Sequence, residues 1–290
     1  MSNTAGGMVG GTRKKVFSVL KTVFLFALLL VYMVPFFLVI INAFKSNGAI
    51  LKSPLSLVDP GGIIFENFTK AFERMNFLRS FANSLLVTVV SVALIILISS
   101  MTAWLFVRFN WKINRIFFAA MIAAMIVPFQ AIMIPLVSIY GGTLNMLGNP
   151  VTLIAMNIGF GVSMAVFIYH GFIRGGVPVS LEEAATLDGC NRLQMFFKVV
   201  FPLLKSTTAT IVVLDVLWAW NDYLLPSLVI GNNKQAFTLP LSTYSFYGTY
   251  SVDYGAIMAA LCLTALPVIV LYLFLQRQII SGVVSGAVKA

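Results

Sequence analysis

The stretch SLEEAATLDG at residues 180–189 gathers Glu182, Glu183 and Asp188, a third of the nine acidic residues in a 290-residue chain that is 60% hydrophobic and only 10% charged. Carboxylates grouped this way can cap a helix or pair with a basic surface. No metal-ligand cluster and no nucleophile–base pair stands out elsewhere, so neither metal nor nucleophilic catalysis is indicated. Ser180 and Glu183 stand in the S-x-x-E spacing of a capping box, in which Ser180 accepts from the Glu183 amide and Glu183 reaches back. The spacing predicts a short helix starting there. Ala184 and Ala185 give that helix a narrow side, and Gly189 suits the left-handed position just past a helix end. Leu193, Phe196, Phe197 and Val200 follow at helical spacing, so a second short helix runs into Pro202. A solvated loop with Glu183 used by its own helix end fits a capping box taken alone. Such a loop needs no small residues along one side, whereas a helix that enters a groove on another protein does.

The segments that hold this island are apolar and long. Residues 22–44, 80–107 and 254–276 carry no Asp, Glu, Lys or Arg, and 116–173 runs 58 residues without one. Each of the first three is enough to cross a bilayer once, and the last is enough for two crossings, turned at GGTLNMLGNP, 141–150, by its Gly, Asn and Pro residues. The Met-rich run at 119–136 reads as span packing, with Pro128 and Pro135 bending it. A further apolar stretch at 206–230 carries Asp215 and Asp222. The expectation is an all-α membrane protein with six transmembrane helices, at about 18–44, 82–107, 116–139, 151–173, 206–230 and 254–276, forming a single domain over 1–290. The polar island lies in the loop 174–205, between spans four and five.

Lys and Arg placement sets the orientation. Arg13, Lys14, Lys15 and Lys21 precede span one, and Arg108, Lys112 and Arg115 crowd the loop between spans two and three. In all, 13 of the 19 basic residues fall on one side. Both termini and the island are therefore expected to be cytoplasmic, and the net charge of +10 reads as topology and not as a nucleic-acid surface. The basic patch and apolar run at the start imitate a secretory signal, but the run is too long and no small-x-small site follows, so it reads as a retained helix. Cys190 and Cys262 fall in the cytoplasm and in a span, which implies no disulfide framework. The single histidine, His170, falls near the inner end of span four, where a packing or interfacial role is expected and not a catalytic one.

Glu183-Ala184-Ala185, Gly189 after three more residues, and Val199-x-Phe201-Pro202 after a further nine together resemble the EAA motif of ABC-importer permeases, with Val and Phe in place of the usual Ile and Leu. NSLLVTVVS at 83–91, WAWNDYLLPS at 218–227, TLPLSTYSFYG at 238–248 and the tail from Gln276 extend the resemblance over nearly the whole chain. They are similar to the smaller permease of maltose-type oligosaccharide importers, multi-pass proteins of a bacterial inner (cytoplasmic) membrane. The resemblance implies a binding-protein-dependent carbohydrate importer in which two unlike permeases pair, two cytoplasmic ATPase subunits dock beneath, and an extracytoplasmic binding protein delivers the sugar. It makes the loop 174–205 the coupling helix loop, with Ser180, Glu182, Glu183, Ala184, Ala185, Asp188, Gly189 and Pro202 as its ATPase-coupling residues. Glu183 would face a basic residue of the ATPase, the alanines would allow close approach, and Gly189 would shape the turn. The outer loop at about 231–255, with Thr238, Tyr244, Tyr247 and Tyr250, would meet the binding protein, and the C-terminal tail would touch the ATPase dimer. No G-x-x-x-x-G-K-[ST] occurs in the chain, so ATP and Mg belong to the partner ATPase and this subunit is not itself an enzyme.

Asp215 falls about 14 Å into its span by helical rise, near the middle of a roughly 30 Å hydrocarbon core. A carboxylate there is a functional candidate, yet the family usually has an uncharged residue at this place, so the resemblance assigns it no role. It hydrogen-bonds a sugar hydroxyl or a polar partner group, or it is protonated and packed. Trp220, Asn221, Asp222 and Tyr223 lie further out and form either an aromatic and amide lining for a sugar or part of the interfacial aromatic belt. The alternative from another class is a secondary transporter with Asp215 as its proton-coupling carboxylate. The EAA spacing favours the importer.

Overall fold

The computed structural model of the protein describes residues 12–246 and 252–287. Every regular element among them is a helix. The chain forms two compact units, Met1–Ala71 with Tyr250–Cys262, and Phe72–Thr249 with Leu263–Ala290.

The first unit begins with α1, Thr12–Asn42. From Phe17 to Phe37 every residue of α1 is exposed, and a helix apolar on all sides belongs in a hydrocarbon surrounding. Its C-terminal end is tied down by polar contacts. Asn67 on α3, Glu66–Arg74, donates Nδ2 to the carbonyls of Ala43 (2.9 Å) and Lys45 (2.8 Å). Lys45 is buried, with Nζ on the carbonyls of Ser53 and Pro54. Ser46 caps α2, Asn47–Lys52, and also donates its amide (2.7 Å) and hydroxyl (2.6 Å) to Asp59 Oδ2. The Ser46 hydroxyl, the Gly61 amide and the Ser46 amide together hold the Asp59 carboxyl below the usual carboxylate range. Two of the charges of loop 45–79, those of Lys45 and Asp59, are thus engaged within its own fold.

The second unit is organised around α4, Phe77–Arg108, and α7, Pro150–Gly176. Ser80, Ser84, Thr88, Ser91 and Ser99 on α4 are buried at spacings that keep them on one face, and small residues let helix backbones approach closely. Gly161 on α7 is such an approach, since a Cβ there would stand 2.6 Å from Ile95 Cδ1. Ile95, Trp104, Val166, Tyr169 and Ile173 continue into a core shared with Ala185, Phe196, Val200 and Ile211.

Among the described residues four helices are long and apolar enough to cross a membrane, Phe17–Asn42, Phe77–Arg108, Pro150–Gly176 and Tyr254–Phe274, and two bent pairs bring the number to six if each counts as one span. The breaks in the helices are where the structure departs from the six continuous runs expected. The run expected at 116–139 is α5, Lys112–Ile126, and α6, Phe129–Val137, a pair that turns through 99°. Pro128 supplies no N–H and holds Val127 extended, so the helix stops there. The run expected at 206–230 also breaks. Its helix is α11, Lys205–Asn221, and Asp222 and Tyr223 separate it from α12, Leu224–Ile230. The last helix, α13, Tyr254–Ala287, extends well past residue 276.

Candidate functional site

The polar island forms α8, Val179–Leu187. It starts earlier than the capping box predicts. Val177 ends α7 with extended backbone, as a residue before proline does, and Pro178 takes the N-cap position with no side-chain cap bond. Ser180 therefore sits inside the first turn, and the expected Ser180–Glu183 box does not form. A capping box forms one helix later. Asn191 Oδ1 accepts from the Gln194 amide and Gln194 Oε1 accepts from the Asn191 amide, both at 2.9 Å, opening α9, Arg192–Met195. The N-x-x-Q spacing ahead of Met-Phe-Phe was the signal in the sequence. At the other end of α8, Gly189 has φ +80° as expected. The Cys190 amide donates to Ala185 O and the Gly189 amide to Thr186 O, both at 3.0 Å, the paired bonds that close a Schellman ending. A π-helical turn, Phe196–Val200, and α10, Phe201–Leu203, then lead to Leu204, where the chain turns 77° into α11. Pro202 is exposed just before that turn.

The two neighbouring glutamates face opposite ways. Glu182 is buried. Its Oε1 accepts from Arg108 Nε at 2.7 Å and its Oε2 from Trp104 Nε1 at 3.0 Å, while Arg108 Nη2 donates to Val177 O at 2.8 Å. Arg108 thus holds both the end of α7 and the inner face of α8, and Trp104 adds a second grip one helical turn back. Around them, Trp104 packs on Phe109 and Phe196, and the Arg192 guanidinium lies 4.7 Å over the Phe109 ring. Glu183 is exposed and, among the described residues, its side chain has no hydrogen bond or ion pair. The alanines also part: Ala185 is buried in the core and Ala184 is exposed. Leu187, at 90% exposure, is an apolar side chain with almost no cover. Ser180, Leu181, Glu183, Ala184, Leu187 and Asp188 make up an outward surface backed by a locked interior. The pairing of Glu182 with Arg108 and Trp104 was missed in the sequence, because nothing local links residues 74 and 78 positions apart.

A second constellation lies between α7 and α11. A cavity of about 330 Å³ is lined by Gly161, Met164, Ala165, Leu214, Asp215 and Trp218 among others. Asp215 is 8% exposed, and its Oδ2 has no hydrogen-bond partner among the described residues. Of the five residues expected along a substrate path, Asp215 alone lines this cavity. Trp220 is buried with its ring edge-on to Phe81 of α4. Asn221 is exposed and donates to the Leu217 carbonyl of its own helix. Asp222 Oδ1 accepts from the amides of Leu224 and Leu225, so it caps α12, and Tyr223 is exposed beside it. The tryptophan that does line the cavity is Trp218, three residues from Asp215, a spacing that already puts the two on one helix face. In the stretch 231–255, Thr238 is buried and Tyr244 exposed; Tyr247 and Tyr250 lie outside the described residues. Among the described residues no group of three or more His, Cys, Asp or Glu is arranged to hold a metal.

Residues 95–284 match the family described as binding-protein-dependent transport system inner membrane component. The probable starch degradation products transport system permease protein AmyC of Thermoanaerobacterium thermosulfurigenes is 39% identical over 260 residues, 90% of this chain and 93% of its own. The melibiose/raffinose/stachyose import permease protein MelC of Bacillus subtilis is 34% identical over 258 residues, 89% of this chain and 92% of its own. In fold the chain is similar to the crystal structure of a bacterial ABC transporter involved in the import of the acidic polysaccharide alginate, with a TM-score of 0.77 at 22% identity, over 93% of this chain and 99% of that one. With well over half of its length matched, the chain belongs to the binding-protein-dependent transport system inner membrane components, the permeases of ABC importers.

Proposed function

We propose that this chain is one of two unlike permease subunits of an ATP-driven importer of oligosaccharides in a bacterial inner membrane. Its α8 is the element that docks a separate ATPase. The observation that carries this reading is the opposed placement of Glu182 and Glu183. One carboxylate fixes the helix to its own subunit, and the other stands on an open, narrow surface beside Ala184 and Leu187. A charged group on a rim with an apolar neighbour at its centre is the composition of a protein interface. In this reading Glu183 meets a basic residue of the ATPase, Ala184 permits close approach, and Leu187 enters the groove. Both termini and α8 lie on the cytoplasmic side, in keeping with the Lys and Arg excess there. The stretch 231–255, with exposed Tyr244, meets the sugar-loaded binding protein, and the C-terminal tail reaches the ATPase pair. The Asp215–Trp218 cavity faces the sugar path, where an aromatic face and a carboxylate acceptor suit a hydroxylated ring. Oligosaccharides are chosen because the relatives are named for starch products and for melibiose, raffinose and stachyose. Family membership removes the ground for the proton-coupled alternative.

The test is purification of the tagged chain from its host in mild detergent. Recovery with a second permease and a P-loop ATPase is the expected result. A chain that purifies alone and intact across several detergents overturns the reading.

A further inference from the structure

We propose that α4 is the rod through which the two faces of this permease communicate, with Arg108 and Asn83 as the positioning residues at its ends. The inference rests on the importer function proposed above and deepens it by naming the route between the α8 surface and the outer stretch 231–255. The helix has 32 residues, about 48 Å at 1.5 Å per residue, against a hydrocarbon core of about 30 Å. Both ends therefore stand clear of the core, on opposite sides. At one end Arg108 and Trp104 hold the Glu182 carboxylate of α8. At the other, Arg79 Nε donates to Gln235 O at 3.0 Å, and Asn83 Nδ2 donates to Gln235 O (2.9 Å) and Phe237 O (3.0 Å). Ser84 Oγ accepts from the Leu239 amide at 2.7 Å in a buried bond. The same outer stretch grips the turn before α7, since Asn233 Nδ2 donates to Gly148 O at 2.8 Å.

Between these clamps α4 contains neither Pro nor Gly, the usual sites of a kink. The α5–α6 pair and the run from Arg192 to Asn221, by contrast, bend by 99° and 77° and dissipate an axial push. Displacement of α8 must either break a buried ion pair or carry the end of α4 along, and the second course leaves every polar group paired. The serine-rich face of α4 packs close to α7 and is suited to the small sliding motions by which packed helices shift. A loaded binding protein that repositions 235–239 therefore moves α8, and an ATPase that moves α8 repositions 235–239.

The test is a double-mutant cycle on the complete complex of both permeases, ATPase and cognate binding protein, reconstituted in nanodiscs. The binding protein is loaded from a pooled mixture of malto-oligosaccharides and raffinose. Arg108→Gln and Asn83→Ala are each expected to lower the ratio of binding-protein-stimulated to basal ATP hydrolysis by about fivefold or more, a typical size for inter-site coupling. Because the two ends act in series, the double variant is expected to be no worse than either single one. Losses that multiply, or stimulation that survives both substitutions, overturn the proposal. Wild-type complex that shows no stimulation overturns the importer reading beneath it, so the two failures are distinguishable. If Arg108→Gln does not assemble, the cycle of Trp104→Phe with Ser84→Ala cuts one bond at each end and is read by the same outcomes.

Discussion

The Arg108 guanidinium closes on the Glu182 carboxylate at 2.7 Å, with both side chains nearly buried at 13% and 8% exposure. The pair fastens the first residues after α7 to the last residue of α4, so α8 is a fixture of the permease. Glu182→Leu leaves the Arg108 cation and the Trp104 N–H without their acceptor and is expected to destabilise the chain by about 3–5 kcal/mol. The double variant Arg108→Met with Glu182→Leu is expected to recover most of that loss, because it leaves no buried charge. Thermal melts of the detergent-solubilised protein check both; a double variant as unstable as the single one contradicts the assignment.

The end of α8 depends on backbone shape. Gly189 holds φ +80°, and Gly189→Ala is expected to cost about 1 kcal/mol. Asn191→Ala removes the cap of α9 and costs about 1 kcal/mol as well. Hydrogen exchange over 180–200 should quicken in both variants while exchange in the centre of α4 stays unchanged.

Gly255 marks a contact in the first unit with no room for a methyl group. A Cβ there would stand 2.6 Å from Asn67 Nδ2 and 2.8 Å from Lys45 O. The second of these is backbone and cannot swing aside. Gly255→Ala is expected to destabilise this unit by about 1–3 kcal/mol, seen as faster proteolysis of loop 45–65 with the α8 region unaffected.

Acid should loosen the same loop through Asp59. Hydrogen bonds led by the Ser46 hydroxyl lower its folded pKa. Its contribution is therefore fully present above the unfolded value of about 3.9 and is lost as pH falls through that value towards the folded one. Pulse proteolysis with pepsin between about pH 2 and 5 should show the protection of 45–65 falling in the wild type. Asp59→Asn should show weaker protection that hardly changes over the range; equal pH dependence in the two would contradict the assignment.

Much of this was legible in the sequence, for identifiable reasons. Uncharged runs fixed the apolar helices, since a charge in hydrocarbon is costly, and Gly189 declared its own conformation. The capping box was misplaced by one helix because Pro178, by stiffening Val177, starts α8 before Ser180 can cap it. Trp218 and not Trp220 shares the cavity with Asp215, because a span of three residues keeps one helix face and a span of five does not. Asp222, open in the sequence between a sugar lining and the interfacial belt, accepts from the first amides of α12. The 99° bend at Pro128 was foreshadowed by the proline itself. The Arg108–Glu182 pair was not legible, since only the packing of α4 on α7 brings the two together.

The central claim is that the outward side of α8 docks an ATPase, and Glu183→Lys tests it most directly. The tagged variant, purified beside the wild type, is expected to keep its melting temperature and its partner permease and to lose the ATPase, with sugar uptake lost as well. A variant that retains the ATPase in full and takes up sugar at the wild-type rate would contradict the account.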